Sequence, residues 1–322
     1  MSRASCCSWP ATCRATSRAR PCRWTGVSEM AEAARKTRVA LLGLGNMGGQ
    51  MASHLVNTGF PVHVYNRTRS AAKPLGDAGA CVADTAAEAV AEAEVVLVSL
   101  ADENAVRAVL FEDALQRLRD GAFVLGASTV SPSFAHEAAE RLGAVGAHYV
   151  ELCLLGNPML AGTGKLRMFT AGDGADAEPV REVLDALANQ VRHVGELGLA
   201  STMKLAFNQL IGAQTASLAE AVTFGERAGL DREMLLTEIA NSGFSSLVMA
   251  FRAALMKERK YEPAAFSSKL MLKDLRLALD NANGAGVAMP VTAQVAARYE
   301  QVLAQGFGDL DAAVVGELQD DR

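Results

Sequence analysis

From residue 38 onward the chain reads as short apolar runs, each broken by turn residues and followed by a segment of helical spacing. Residues 38–43, Arg38-Val39-Ala40-Leu41-Leu42-Gly43, predict a buried strand. A glycine turn follows at once, and the apolar spacing over 46–58 predicts a helix closed by Gly59. Further strands are predicted at 62–65, 81–82, 94–100, 122–125, 148–152 and 166–171, with helices between most of them. Thr85 with Glu88 three residues on is a capping-box start for one of these helices. Strands alternating with helices predict a parallel sheet covered on both faces, an α/β Rossmann-type doubly wound fold. After about Gly195 the strand pattern stops. Helical spacing alone remains, over 198–229, 232–241, 246–257, 266–283 and 290–305, so the C-terminal part is expected to be all-α.

Composition narrows the class. Half of the 322 residues are apolar, 21% are charged and 5% are aromatic, which excludes disordered, collagenous and disulfide-stapled chains. The net charge of −5 is uneven: residues 1–38 hold eight basic and two acidic side chains, which leaves the rest at −11. Such a body offers no basic surface for nucleic acid or an acidic membrane, and neither is expected as a partner. No run reaches the roughly 18 apolar residues of a membrane span; the strongest, 95–101, is interrupted by Ser99. Four of the six cysteines, Cys6, Cys7, Cys13 and Cys22, lie in the first 22 residues, so no disulfide framework is implied. Residues 1–28 are rich in Arg and Ser and contain no acidic residue. Two readings stay open there: an extension upstream of a start at Met30, or a transit peptide. The first places the protein in the cytoplasm, the second in a mitochondrial or plastid matrix.

Three constellations carry chemistry. Gly43-Leu44-Gly45-Asn46-Met47-Gly48 matches GxGxxG between a predicted strand and a predicted helix, the context in which the glycines allow a tight turn, close approach of a diphosphate and close helix packing. The diphosphate is expected on the free N–H groups of that helix's first turn. About 20 residues further on, where a carboxylate would grip a ribose 2′-hydroxyl, stand Asn66, Arg67 and Thr68. A guanidinium beside amide and hydroxyl donors suits a 2′-phosphate, so NADP is the expected cofactor. Lys204 and Asn208 share one face of the long helix from 198, in the run Met203-Lys204-Leu205-Ala206-Phe207-Asn208, with Leu210 and Ile211 beyond. Apolar neighbours all round predict a buried segment, in which Lys204 needs partners and could protonate a developing alkoxide.

Together with Lys273-Asp274-Leu275, these motifs resemble the β-hydroxyacid dehydrogenase family, which includes 3-hydroxyisobutyrate dehydrogenases and semialdehyde reductases, over about residues 38–306. The resemblance implies that Lys204 is the proton donor and acceptor and that Asn208 positions Lys204 or the substrate. It implies further cofactor contacts at Leu100 and Ala101, at Ser128 and Thr129, and at Lys273, with Phe266 walling the nicotinamide. Three parts are expected: a disordered leader or mis-assigned start at 1–37, an NADP-binding Rossmann domain at 38–195, and an all-helical substrate and dimerisation domain at 196–322; the resemblance implies assembly as a homodimer or homotetramer.

The substrate loop departs from the family. Where its members commonly read Asp-Ala-Pro-Val-Ser-Gly-Gly, this chain has Glu151-Leu152-Cys153-Leu154-Leu155-Gly156-Asn157. Leu155 cannot donate the hydrogen bond that a serine gives to a substrate carboxylate, although Gly156 and Asn157 retain a backbone N–H and a side-chain amide. Cys153 reads as a small core residue and not a nucleophile. The five histidines show no ligand spacing, and no metal is expected. The expected function is hydride transfer between NADPH and the carbonyl of a small aldehyde or keto acid. An NADPH-dependent imine reductase and a non-catalytic NADPH-binding module are the alternatives; a lysine at 204 argues against both.

Overall fold

The computed structural model describes residues 36–318; the leader readings for 1–28 and Met30 lie outside them. Eight strands form one sheet: β1 (Val39–Leu42), β2 (Val62–Tyr65), β3 (Cys81–Val82), β4 (Val95–Val98), β5 (Phe123–Gly126), β6 (His148–Leu155), β7 (Leu166–Ala171) and β8 (Ala188–Gly195). Their order is β3-β2-β1-β4-β5-β6-β7-β8, so the chain reverses direction of growth between β1 and β4, the crevice where doubly wound folds bind ligands. The connecting helices are α1 (Asn46–Asn57), α2 (Lys73–Asp77), α3 (Ala86–Val90), α4 (Glu103–Val106), α5 (Pro132–Gly143), α6 (Pro158–Ala161) and α7 (Glu178–Leu187). The remainder is helical: α8 (Leu199–Arg227), α9 (Arg232–Asn241), α10 (Leu247–Glu258), α11 (Ser268–Gly284), α12 (Pro290–Ala304) and a closing 3-10 turn, Ala312–Glu317.

Two features of the sheet differ from the expected one. β7 runs antiparallel to β6, with β8 parallel to β7, so the sheet is only mostly parallel. β8 was not expected as a strand: residues 189–193, Asn-Gln-Val-Arg-His, are all exposed at the sheet's edge, so no face is buried and no alternation marks it. The central strands are buried on both faces. Leu41 and Leu97 pack with Met51, Leu55 and Leu184 on one side, while Leu42 and Val96 pack with Leu110, Phe134 and Leu142 on the other, as the two-residue strand period requires. Thr85 caps α3 by accepting from the Glu88 N–H at 3.1 Å, and Glu88 accepts from the Asp84 N–H at 3.0 Å.

The helical part has its own core of Met256, Met271, Leu275, Tyr299 and Val302. A buried ion pair, Arg252 with Asp311, lies beside it, and Asp311 also accepts from the N–H groups of Ala265, Phe266 and Ala313. The buried segment expected around Lys204 is corrected: Leu205 is buried and Met203, Phe207 and Ile211 are half-buried, but Ala206 and Leu210 are exposed, as are Leu199 and Phe224 farther along the helix. Its apolar residues therefore divide between a face packed on the protein and a face left open.

His63 on β2 is buried, and burial lowers its pKa against an opposing push from Glu92. Above the usual histidine value of about 6.5 the ring is neutral whether the chain is folded or not. As pH falls below that value the unfolded chain takes up a proton that the fold resists, so stability falls with pH. Urea unfolding is expected to show a loss between pH 7 and pH 5 that is shallower in His63→Gln; equal slopes would remove His63 as a contributor.

Candidate functional site

The glycine turn is shaped by contacts that no side chain could share. Gly43 has φ +97°, and a Cβ there would lie 2.3 Å from the Ser99 carbonyl oxygen. A Cβ on Gly48 would lie 2.1 Å from the Gly43 carbonyl oxygen, so this glycine lets α1 start against the turn. Gly45 differs: nothing in the protein lies within 4 Å of its missing Cβ, so the backbone there faces open space. Gly45 is also the N-cap of α1 and leaves the first-turn N–H groups without a side-chain cap. Open backbone at a helix N-terminus is a cradle for a phosphate, and these residues fit a dinucleotide. Leu44 and Met47 anchor the turn in the adjoining core.

Asn66 braces this turn from the end of β2. Its Oδ1 accepts from the Leu44 N–H at 3.0 Å and its Nδ2 donates to the Thr68 carbonyl at 3.0 Å. Arg67 and Thr68 are exposed beside it, and the Arg67 guanidinium forms no ion pair among the described residues. Asn46 Nδ2 donates across to the Ala264 carbonyl at 2.8 Å, which joins the turn to the helical part. Ala264 is followed by Ala265 and Phe266, whose N–H groups Asp311 holds; the Phe266 ring packs against the helical core.

The ends of β4 and β5 stand next to the turn. Ser128 Oγ accepts from the Leu100 N–H at 2.8 Å and donates to the Val98 carbonyl at 3.3 Å, tying the two strand ends together while Ala101 stays exposed. Lys273 Nζ on α11 donates to the Thr129 carbonyl at 2.8 Å and pairs with Asp274 Oδ1 at 2.9 Å. Asp274 is 1% exposed, and its other oxygen accepts from Asn208 Nδ2; Asn208 is 3% exposed. The amide nitrogen of Asn208 is thus given to Asp274, and the α8 and α11 motifs form one buried network.

Lys204 Nζ donates to the Leu154 carbonyl at 2.9 Å, which places the ammonium at the C-terminal end of β6. It lines a narrow cavity of about 10 Å³ with Ser128, Thr129, Glu151, Cys153 and Ser201. That volume is about what one water's centre needs. Glu151 was not expected to take part. It is 2% exposed and accepts from the Gly198 N–H at 2.6 Å and from Ser201 Oγ, holding the first turn of α8 against β6. A glutamate inside the apolar strand Tyr149-Val150-Glu151-Leu152 was the available signal, because a buried charge needs built partners. Cys153 is buried and its thiol is pushed up to about 11, chiefly by burial, so it stays protonated near neutral pH and is no nucleophile. Leu155 is half-buried on the cluster of Cys153, Phe169, Ala171 and Ala200, against which Met203 and Phe207 also pack, while Gly156 and Asn157 are exposed. Asn157 Oδ1 accepts from the Leu160 N–H at 3.0 Å as the cap of α6, so its oxygen is engaged and its amide nitrogen is the group facing outward chemistry.

An uncapped helix start behind a glycine turn, at the switch point of a doubly wound sheet that carries a lysine at the C-terminal end of β6, is the arrangement of a nicotinamide-dinucleotide oxidoreductase. Known proteins specify the class further. Residues 38–195 match the model of the NAD-binding domain of 6-phosphogluconate dehydrogenase, and residues 198–318 match that of the NAD-binding region of NADP-dependent 3-hydroxyisobutyrate dehydrogenase. An uncharacterized oxidoreductase of Bacillus subtilis is 34% identical over 281 residues, covering 86% of this chain and 98% of the relative. Glyoxylate/succinic semialdehyde reductase 1 of Arabidopsis thaliana is 30% identical, covering 87% and 97%. The structure of Mycobacterium tuberculosis 3-hydroxyisobutyrate dehydrogenase with L-serine has a TM-score of 0.76 at 28% identity, covering 88% and 98%. The chain belongs to the β-hydroxyacid dehydrogenase family of NAD(P)-dependent enzymes.

Proposed function

We propose that the protein is an NADP-dependent reductase that transfers hydride between NADPH and the carbonyl of a small aldehyde or keto acid, with Lys204 as its acid and base. The observation that carries this reading is the Lys204 ammonium held at 2.9 Å on the Leu154 carbonyl, in one cavity with Ser128, which ties the ends of β4 and β5 together, and Thr129, whose carbonyl Lys273 holds. A bound nicotinamide supplies or accepts the hydride. Lys204 Nζ donates a proton to the carbonyl oxygen during reduction, and as the neutral amine it takes the hydroxyl proton during oxidation. The Leu154 carbonyl orients Nζ, and the Asn208–Asp274–Lys273 network holds α8 and α11 in register around it. Gly45 and the first turn of α1 receive the diphosphate, and Leu100, Ala101, Ser128 and Thr129 border the nicotinamide half. A homodimer or homotetramer is proposed with it, and the open apolar face of α8 supports association.

The preference for NADP rests on Arg67, which is exposed, has no ion pair among the described residues, and follows Asn66 where a carboxylate would otherwise stand. Losing one charge-assisted contact is worth about 1.5–3 kcal/mol, or roughly 10- to 150-fold in affinity. Arg67→Ala is therefore expected to raise the KM for NADPH by about that factor and leave the KM for NADH nearly unchanged. Equal effects on both, or a wild-type preference for NADH, would contradict the assignment. NADPH oxidation with a panel of aldehydes, keto acids and cyclic imines tests the reaction itself: turnover of imines alone would replace carbonyl reduction by imine reduction.

A further inference from the structure

We infer that the substituent next to the reacting carbonyl is an uncharged alkyl or aryl group, seated on an apolar surface made by Leu155, Met203 and Phe207. The inference rests on the carbonyl reduction proposed above and narrows it. Met203 precedes Lys204, Phe207 lies one helical turn beyond it, and Leu155 follows the residue whose carbonyl holds Nζ. All three side chains are half-buried and pack on one buried cluster, Cys153, Phe169, Ala171 and Ala200. The Phe207 ring lies 6.0 Å from that of Phe169, tilted by 50°. Lys204 thus leaves α8 between two half-buried apolar side chains, Met203 and Phe207, and covering the part of them and of Leu155 that is still open is favourable only for an apolar group.

The charged groups nearest Lys204 among the described residues offer a carboxylate beside the carbonyl little net attraction. Glu151 shares the cavity with Lys204, and its oxygens already accept from Gly198 and Ser201. Lys273 is held by Asp274 and by the Thr129 carbonyl, so the two acids and two lysines of this region cancel. Asn157 caps α6 through its side-chain oxygen, so what this loop retains toward a substrate are uncharged donors, the Asn157 amide nitrogen and the Gly156 N–H. One further cation lies on the same face: Arg167 is paired with Leu155 across β6 and β7. Its Nε donates to Gln190 Oε1 at 2.9 Å, and its guanidinium sits 6.0 Å from the centroid of the Phe169 ring.

The test compares hexanal and benzaldehyde with glyoxylate as substrates of the NADPH-bound wild type, Leu155→Ser and Arg167→Ala. The wild type is expected to have kcat/KM for the two apolar aldehydes about 10- to 100-fold above that for glyoxylate. Leu155→Ser is expected to lower that ratio at least about tenfold. Binding is read separately by NADPH fluorescence with two unreactive amides, hexanamide and oxamate, where hexanamide is expected to bind more tightly; this readout holds if a variant turns over poorly. Preference for glyoxylate and oxamate would overturn the inference, and its disappearance in Arg167→Ala would assign carboxylate recognition to that arginine. Failure of every carbonyl to oxidise NADPH would instead count against the proposed reaction, a distinct outcome.

Discussion

Lys204→Ala is expected to lower kcat for carbonyl reduction by roughly 10² to 10⁴, the usual contribution of a positioned acid or base. Among the described residues the lysine holds one acceptor, the Leu154 carbonyl, and it stands at the end of β6 instead of in the dinucleotide cradle. NADPH affinity, measured by fluorescence titration, is therefore expected to stay within a few-fold of wild type. Lys204 is half-buried, so truncation leaves no large cavity and the unfolding free energy is expected to change little. Joint loss of cofactor binding and turnover would make the residue structural. Near-wild-type turnover would remove it as the proton donor.

Asp311→Ala is expected to cost about 3–5 kcal/mol in unfolding free energy, the range for removing one partner of a buried ion pair. Arg252 and Asp311 are 4% and 0% exposed, so the remaining guanidinium would be left in the interior without its charge partner. The same carboxylate gathers the N–H groups of Ala265, Phe266 and Ala313, and three further donors would lose an acceptor. Because Ala264 is the residue that Asn46 grips from the glycine turn, weaker NADPH binding is expected to accompany the instability. Urea unfolding with a loss under about 1 kcal/mol would contradict this, since such a value is typical of an exposed pair.

Much of this architecture was legible because it depends on local rules. The strands of the sheet's centre are buried on both faces and so appear as uninterrupted apolar runs, and each ends at a turn residue. The glycine motif was readable for a steric reason: positions 43 and 48 have no room for a Cβ, and position 45 is left open. β8 escaped notice because an exposed edge strand carries no hydrophobic alternation, and the reversal of β7 is a matter of connection geometry that periodicity does not encode. Lys204 and Asn208 were singled out from their spacing, yet their partners come from far along the chain: Leu154 is 50 residues away and Asp274 is 66. Such pairings arise from packing α8 on β6 and α11, and nothing local announces them. The exposed side of α8 shows the opposite error, in which apolar composition around a helix was taken for burial.

The most direct test follows an isotope. With NADPH carrying deuterium at C4 of the nicotinamide and an aldehyde that the enzyme accepts, the alcohol product is expected to hold one deuterium on the former carbonyl carbon. The label is expected from a single face of the nicotinamide, and Lys204→Ala is expected to slow its appearance in step with kcat. A protein that binds NADPH yet transfers no deuterium to any carbonyl carbon would contradict the account.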